Sequence, residues 1–127
     1  MNFSFIDIHC HLEMLPDIPQ VIQRARKADV HIILTQGVNI ETNRKALELS
    51  SAYSEVKVAL GLYPIDALKL SDAEIDVEIA FTRKNSKKIT AIGEVGMDFK
   101  EDEKEHGRQK EIFEKFINLS IELNKPI

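Results

Sequence analysis

Apolar positions along the chain fall into two alternating rhythms. Short, β-branched runs at Phe5 to Ile8, Val30 to Leu34, Val56 to Leu60 and Ile89 to Ile92 have the length and composition of buried strands. Between them apolar residues recur at helical spacing. Ile18, Val21, Ile22, Ala25 and Ala28 follow Asp17 and Pro19, which suit a helix start. A second helix is predicted over 41–52, with Ala46 and Leu47 as its clearest apolar pair. Ser71-Asp72-Ala73-Glu74 has the form of a capping box, in which hydroxyl and carboxylate satisfy each other's orphan amides, and Ile75 and Ile79 follow on one face. A fourth helix is predicted over 108–123, where Ile112, Phe113, Phe116, Ile117 and Ser120 form one stripe. It stops before Lys125-Pro126, because proline disfavours helix at its predecessor.

Strand starts recur every ~25–33 residues, the rhythm of successive βα units, and runs buried on both faces imply a parallel sheet covered by helices. The expected fold class is therefore α/β, built from parallel (β/α) units. Residues 1–127 read as one unit without a linker or low-complexity tract, and Pro126-Ile127 as the entry to a fifth strand. The charged run at 100–106 (KEDEKEH) reads as a solvated loop.

Composition removes several function classes. With 127 residues, 43% apolar and 30% charged, the chain has the profile of one globular domain. Seventeen Lys and Arg stand against 21 Asp and Glu, a net charge of −4, so no basic field exists to hold nucleic acid by charge alone. The single cysteine cannot form an internal disulfide, and no apolar run approaches the ~18 residues of a membrane span. A cytoplasmic location is expected.

Candidate chemistry sits where strands end. In Asp7-Ile8-His9-Cys10-His11 a period of two puts Asp7, His9 and His11 on one face, with the histidines ~6.6 Å apart along the strand, close enough to chelate one cation. Cys10 points the other way and reads as a small core residue rather than a third ligand. Asp7 is expected either to orient a ligand histidine or to pair with a nearby backbone amide. The fourth strand ends in Gly93-Glu94-Val95-Gly96-Met97-Asp98. A carboxylate there needs a partner, either a cation shared with the histidines or an arginine or lysine on the rim. After the third strand, Tyr63 is positioned to hydrogen-bond a substrate or stack on a base, and Asp66 to serve the turn. Arg108 and Gln109 begin the last helix, where they would either meet an anionic group or be a solvated helix start. His31, at the wrong end of its strand, and His106, in the charged run, read as incidental.

Taken together, Asp-Ile-His-Cys-His at 7–11, Gly-Leu-Tyr-Pro at 61–64, Ala-Ile-Gly-Glu-Val-Gly-Met-Asp at 91–98, and Arg108-Gln109 followed by Leu-Asn-Lys-Pro-Ile resemble the TatD family of metal-dependent deoxyribonucleases. These are amidohydrolase-like (β/α)8 barrels of the TIM type. The resemblance implies that His9 and His11 bind one divalent metal, that Glu94 bridges two (Mg, Mn or Zn) as the catalytic carboxylate, and that Asp7 and Asp98 support the ligands from behind. Tyr63 and Arg108 would contact substrate DNA, although the family commonly has histidine where this chain has Tyr63. The remaining ligands of such barrels come from strands five, six and eight. A barrel of ~250 residues is twice this length, so the chain resembles the N-terminal portion, about four of eight units. It would then pair with a chain supplying the other half, self-associate, flatten into an open sandwich, or be a truncated parent. The activity expected is hydrolysis of DNA phosphodiesters by metal-activated water. The alternatives are a phosphoesterase of the polymerase and histidinol phosphatase type, against which the 93–98 element speaks, and a catalytically incomplete half-barrel acting only as an assembly partner or fragment.

Overall fold

Strands β1 (Phe5–Cys10), β2 (Val30–Gln36), β3 (Val56–Leu60) and β4 (Ala91–Ile92) run parallel in the order β1-β2-β3-β4. The computed structural model describes residues 4–100 and 103–127. Helices α1 (Ile18–Lys27), α2 (Ile40–Ala52), α3 (Pro64–Ala67), α4 (Asp72–Lys84) and α5 (His106–Leu123) alternate with the strands. Sequential strand order with right-handed crossovers puts the long helices on one side and all strand C-termini at one rim. The result is a half-barrel. No helix among the described residues is long and apolar enough to cross a membrane.

The helix-facing side of the sheet is buried in two clusters. Val58, Leu60 and Ile92 pack with Ile75 of α4 and Ile112 and Phe116 of α5, while Ile33 and Val56 pack with Leu12 and Ile22 under α1. By contrast β1 is open to solvent along its length, with Phe5 58%, Ile6 56% and Ile8 71% exposed. That is a bare strand edge.

The third strand matches its predicted bounds, and the Ser71–Glu74 capping box forms as expected. Three elements depart from expectation for local reasons. β4 is reduced to two residues, although Thr90 N–H still donates to Val58 O at 2.8 Å and Gly93 N–H to Leu60 O at 3.0 Å. Residues 64–67, read as loop, form a helical turn because Pro64 at its first position has no amide to satisfy. The last helix starts at His106 after a 3-10 turn over Glu103–Glu105, so the end of the charged run is helical; residues 101–102 of that run lie outside the described residues. After α5, Pro126 O accepts the Ile92 amide at 2.9 Å, a parallel rung beside β4 where a fifth strand was expected.

One correction bears directly on the site. Asp7 pairs with Ile33 and Cys10 with Thr35, so β1 takes three steps where β2 takes two. The extra residue is a bulge, and it breaks the period of two. Asp7 and Cys10 therefore share the side of Ile33 and Thr35, and the expectation that Asp7 lies on the face of His9 and His11 fails. The Asp7 carboxylate instead accepts the His9 backbone amide at 3.1 Å, holding the bulge in shape.

Candidate metal centre

His9, His11 and Glu94 arrive at the rim from opposite edges of the sheet. His9 is carried by the bulged end of β1, and His11 follows the strand at the head of a 3-10 turn over Leu12–Met14. Glu94 follows β4. Its amide donates to Gly37 O at 2.9 Å, and its backbone lies against Gly61 so closely that a Cβ there would sit 2.6 Å from Glu94 O. Glycine at 61 is what lets the β3 and β4 ends approach. Gly61 is itself gripped by Asn43, whose side chain donates to Gly61 O at 2.8 Å and accepts from Gly61 N at 3.3 Å. Asn43 is braced by Glu78, a fully buried carboxylate that also takes two bonds from Arg44 at 2.6 and 2.7 Å.

The three side chains converge. Glu94 Oε2 lies 3.5 Å from His9 Nε2 and 3.2 Å from His11 Nε2, the two rings stand 5.3 Å apart at 88°, and one ligand atom from each residue falls within 4.8 Å of the others. Ligands at about 2.0–2.2 Å from a divalent cation are separated by roughly 3.0–3.5 Å, so the two carboxylate–imidazole spacings fit ligation. Among the described residues, the charged contacts of Glu94 are these two histidines, and no arginine or lysine meets it. His11 Nδ1 donates to Gln36 O at 2.8 Å, which leaves Nε2 of the neutral ring as a bare lone pair facing a carboxylate oxygen. Two acceptors at that distance repel unless a cation, proton or metal ion, lies between them. The imidazole and carboxylate donors suit a divalent metal. With His9 half exposed and Glu94 and His11 partly so, water and substrate keep access.

Tyr63 and Asp98 form a second node. The Tyr63 hydroxyl donates to Asp98 Oδ2, and Asp98 Oδ1 accepts the Lys100 amide at 3.0 Å. Buried Gln109 holds the Asp98 backbone from both sides, accepting its N–H at 2.7 Å and donating to its O at 2.9 Å. The hydrogen bond to Asp98, then partial burial and the negative charges of Asp98 and Glu94, push the Tyr63 phenol up to about 12. The same bond, with the Lys100 amide, holds the Asp98 carboxyl below its ordinary range. Tyr63 is thus a neutral phenol whose proton points at Asp98.

Other expected residues lie elsewhere. Arg108 sits in the seam between α4 and α5, 2.7 Å from Asp72 and 3.5 Å from Glu111. Gln109 serves Asp98 rather than solvent. Cys10 packs toward the α1 cluster, and burial pushes its thiol up, as a core residue requires. Asp66 pairs with Lys69 at 2.6 Å, His31 lies 3.9 Å from Asp29 in solvent, and His106 packs against Phe99 with the rings tilted by 51°.

Two residues at the centre had not been singled out from sequence. Glu13 has a buried side chain whose Oε2 accepts from Thr35 Oγ1 at 2.5 Å and whose Oε1 lies 3.8 Å from His11 Nδ1. Gln36 contacts both histidines. The signal for Gln36 was a polar residue just past the apolar run of β2, at the rim.

Comparison with known proteins identifies the family. The model of the family described as TatD related DNase matches residues 6–127. An uncharacterized metal-dependent hydrolase of Methanocaldococcus jannaschii is 40% identical over 129 residues, spanning 99% of this chain and 50% of that protein. A protein of Edwardsiella piscicida named 3'-5' ssDNA/RNA exonuclease TatD is 31% identical over 113 residues, 87% of this chain and 42% of its own length. The crystal structure of a TatD homolog, YJJV of Escherichia coli, superposes with a TM-score of 0.85 at 29% identity, covering 96% of this chain and 48% of that one. The chain spans about half the length of the curated relatives it matches.

Proposed function

This chain belongs to the family of TatD-related DNases, and from that premise we propose that its rim cluster holds divalent metal for the hydrolysis of DNA phosphodiesters. The observation that carries the reading is the His11 Nε2 lone pair 3.2 Å from Glu94 Oε2, a pair of acceptors that asks for a cation. A divalent ion bound there supplies charge stabilisation at the phosphoryl oxygens and makes a water nucleophilic near neutral pH. It also supplies the local positive charge that a net charge of −4 withholds from a polyanionic substrate.

The chain's own residues divide the work. His9 and His11 would hold one ion, and Glu94 would serve as the catalytic carboxylate of a two-ion site drawn from Mg, Mn or Zn. Asp7 fixes the bulge that aims His9, while Asp98 fixes the phenol of Tyr63 at the edge where substrate enters. Arg108 would reach an anionic group of the substrate only by exchanging its Asp72 partner. Three ligands on a half-barrel make a partial site. The remaining ligands would come from the other half of such a barrel, carried by a continuation of this chain, by a companion chain or by a second copy.

The test has two stages. Isothermal titration of the 127-residue chain with Zn or Mn is expected to show binding that His11→Ala and Glu94→Ala weaken beyond the ~10–100-fold typical of losing an outer partner. A protein completing the barrel is then expected to degrade single-stranded DNA with added divalent metal, and to lose that activity on His9→Ala or Glu94→Ala. Activity indifferent to both substitutions would sink the reading.

A further inference from the structure

Gln36 closes β2 and touches both histidines of the cluster with different atoms. Its backbone oxygen lies 2.8 Å from His11 Nδ1, and its side-chain Nε2 lies 2.9 Å from His9 Nδ1. A carbonyl oxygen only accepts, so His11 carries its proton on Nδ1. An amide nitrogen only donates, so His9 Nδ1 accepts, and the proton of neutral His9 sits on Nε2. That nitrogen lies 3.5 Å from Glu94 Oε2. In their neutral forms the two rings are therefore in opposite tautomers. In this state the Nε2–H of His9 lies beside Glu94 and leaves no lone pair at Nε2 for a cation.

Ligation through His9 Nε2 requires the proton to move to Nδ1, and Nδ1–H then needs an acceptor. An end-over-end turn of the Gln36 amide provides one, because the oxygen and nitrogen ends are nearly equal in size while opposite in hydrogen-bonding sense. Gln36 Oε1 lies over Gly93, where a Cβ would come within 2.6 Å of it, so the amide has room only because residue 93 is glycine. The contact given up is the long one from Nε2 to Ile8 O at 3.4 Å.

We propose that Gln36 is the positioning residue of the centre: it sets which nitrogen of each histidine carries the proton, and its amide turns over on loading to free the His9 Nε2 lone pair for ligation. Resting on the metal reading above, this assigns the work to one residue, with the backbone acting on His11 and the side chain on His9. Glutamate at 36 would hold His9 in the ligating tautomer from the start, and an apolar side chain of equal length would hold neither.

Long-range 1H–15N spectra of the histidine-labelled chain, with and without Zn, read the tautomers directly. Expected without metal are Nε2–H for His9 and Nδ1–H for His11, and with Zn, Nδ1–H for both. Gln36→Met is expected to release His9 into a tautomer mixture, leave His11 unchanged and weaken Zn binding ~10–100-fold. Gln36→Glu is expected to show His9 Nδ1–H before metal is added and to restore the affinity. Thermal unfolding of both variants identifies any loss of fold, and the Glu rescue separates orientation from mere packing. Zn binding and a His9 tautomer both unchanged in Gln36→Met would overturn the proposal, as would failure of Gln36→Glu to shift His9. Zn uptake by the wild-type chain tests the metal reading by itself, whereas the metal-free comparison between variants tests Gln36 independently of it.

Discussion

Replacing Glu78 by Gln probes the brace behind the centre without opening a cavity. The carboxylate is fully buried, accepting from Arg44 Nη1 and Asn43 Nδ2 at one oxygen and from Arg44 Nη2 at the other. The amide that replaces it keeps one acceptor, which Asn43 and Arg44 Nη1 go on using. Its NH2 then faces Arg44 Nη2 across 2.7 Å, donor against donor, and the guanidinium loses its counter-charge. A charge-assisted hydrogen bond is worth about 1.5–3 kcal/mol, and breaking a buried ion pair costs about 3–5 kcal/mol. Arg44 is 34% exposed and stacks over the Phe81 ring, so water and the ring recover part of the loss. The expected destabilisation is therefore about 2–3 kcal/mol, a fall in Tm of ~6–12 °C. Urea and thermal unfolding by circular dichroism, repeated at several protein concentrations so that association does not mask the change, measure it. A loss below about 0.5 kcal/mol would refute the reasoning, since it would mean that Arg44 and Glu78 gain nothing from their burial together.

Two further outcomes follow from the structure. In a Tyr53→Phe background the tyrosinate absorbance reports Tyr63 alone, because the chain has two tyrosines and no tryptophan. It is expected to titrate near 12 and to fall toward the ordinary range in Asp98→Asn. The sign for stability runs both ways. The raised phenol contributes below its unfolded value of ~10 and loses that contribution as pH rises through about 12, whereas the lowered Asp98 carboxyl contributes above ~3.9 and loses it as pH falls through its depressed value. A Tyr63 titration that does not respond to Asp98→Asn counts against the node. For the open edge, Ile8→Lys places a charge where Ile8 is 71% exposed on β1, and sedimentation is expected to show the wild-type chain associating with concentration while the variant stays monomeric. A wild-type chain that remains monomeric throughout removes the case for pairing through β1.

What could be read in advance was local. β3 needed only its own apolar run, α4 only its capping box, and α5 only its stripe and the proline after it, because each signal lies within one element. His9, His11 and Glu94 were legible because their types and their places at strand ends name a cation, and parallel strands bring such ends to one rim. What needed the folded chain were contacts between residues ~25–40 apart. Asp7 left the histidine face because β1 takes one residue more than β2, and register is a property of a pair of strands. Glu78 looks like a solvated helix position until Arg44 and Asn43 close over it, and Arg108 finds Asp72 only when α5 packs on α4. Gln36 lies 25 residues from His11 and 27 from His9, so nothing in the sequence around either histidine reveals its contact. Residue types and parallel strand order were enough to name His9, His11 and Glu94 and the rim they share. Tertiary structure decided the hydrogen-bond partners, braces and exposed edge around them, since these depend on geometry between segments that only packing brings together.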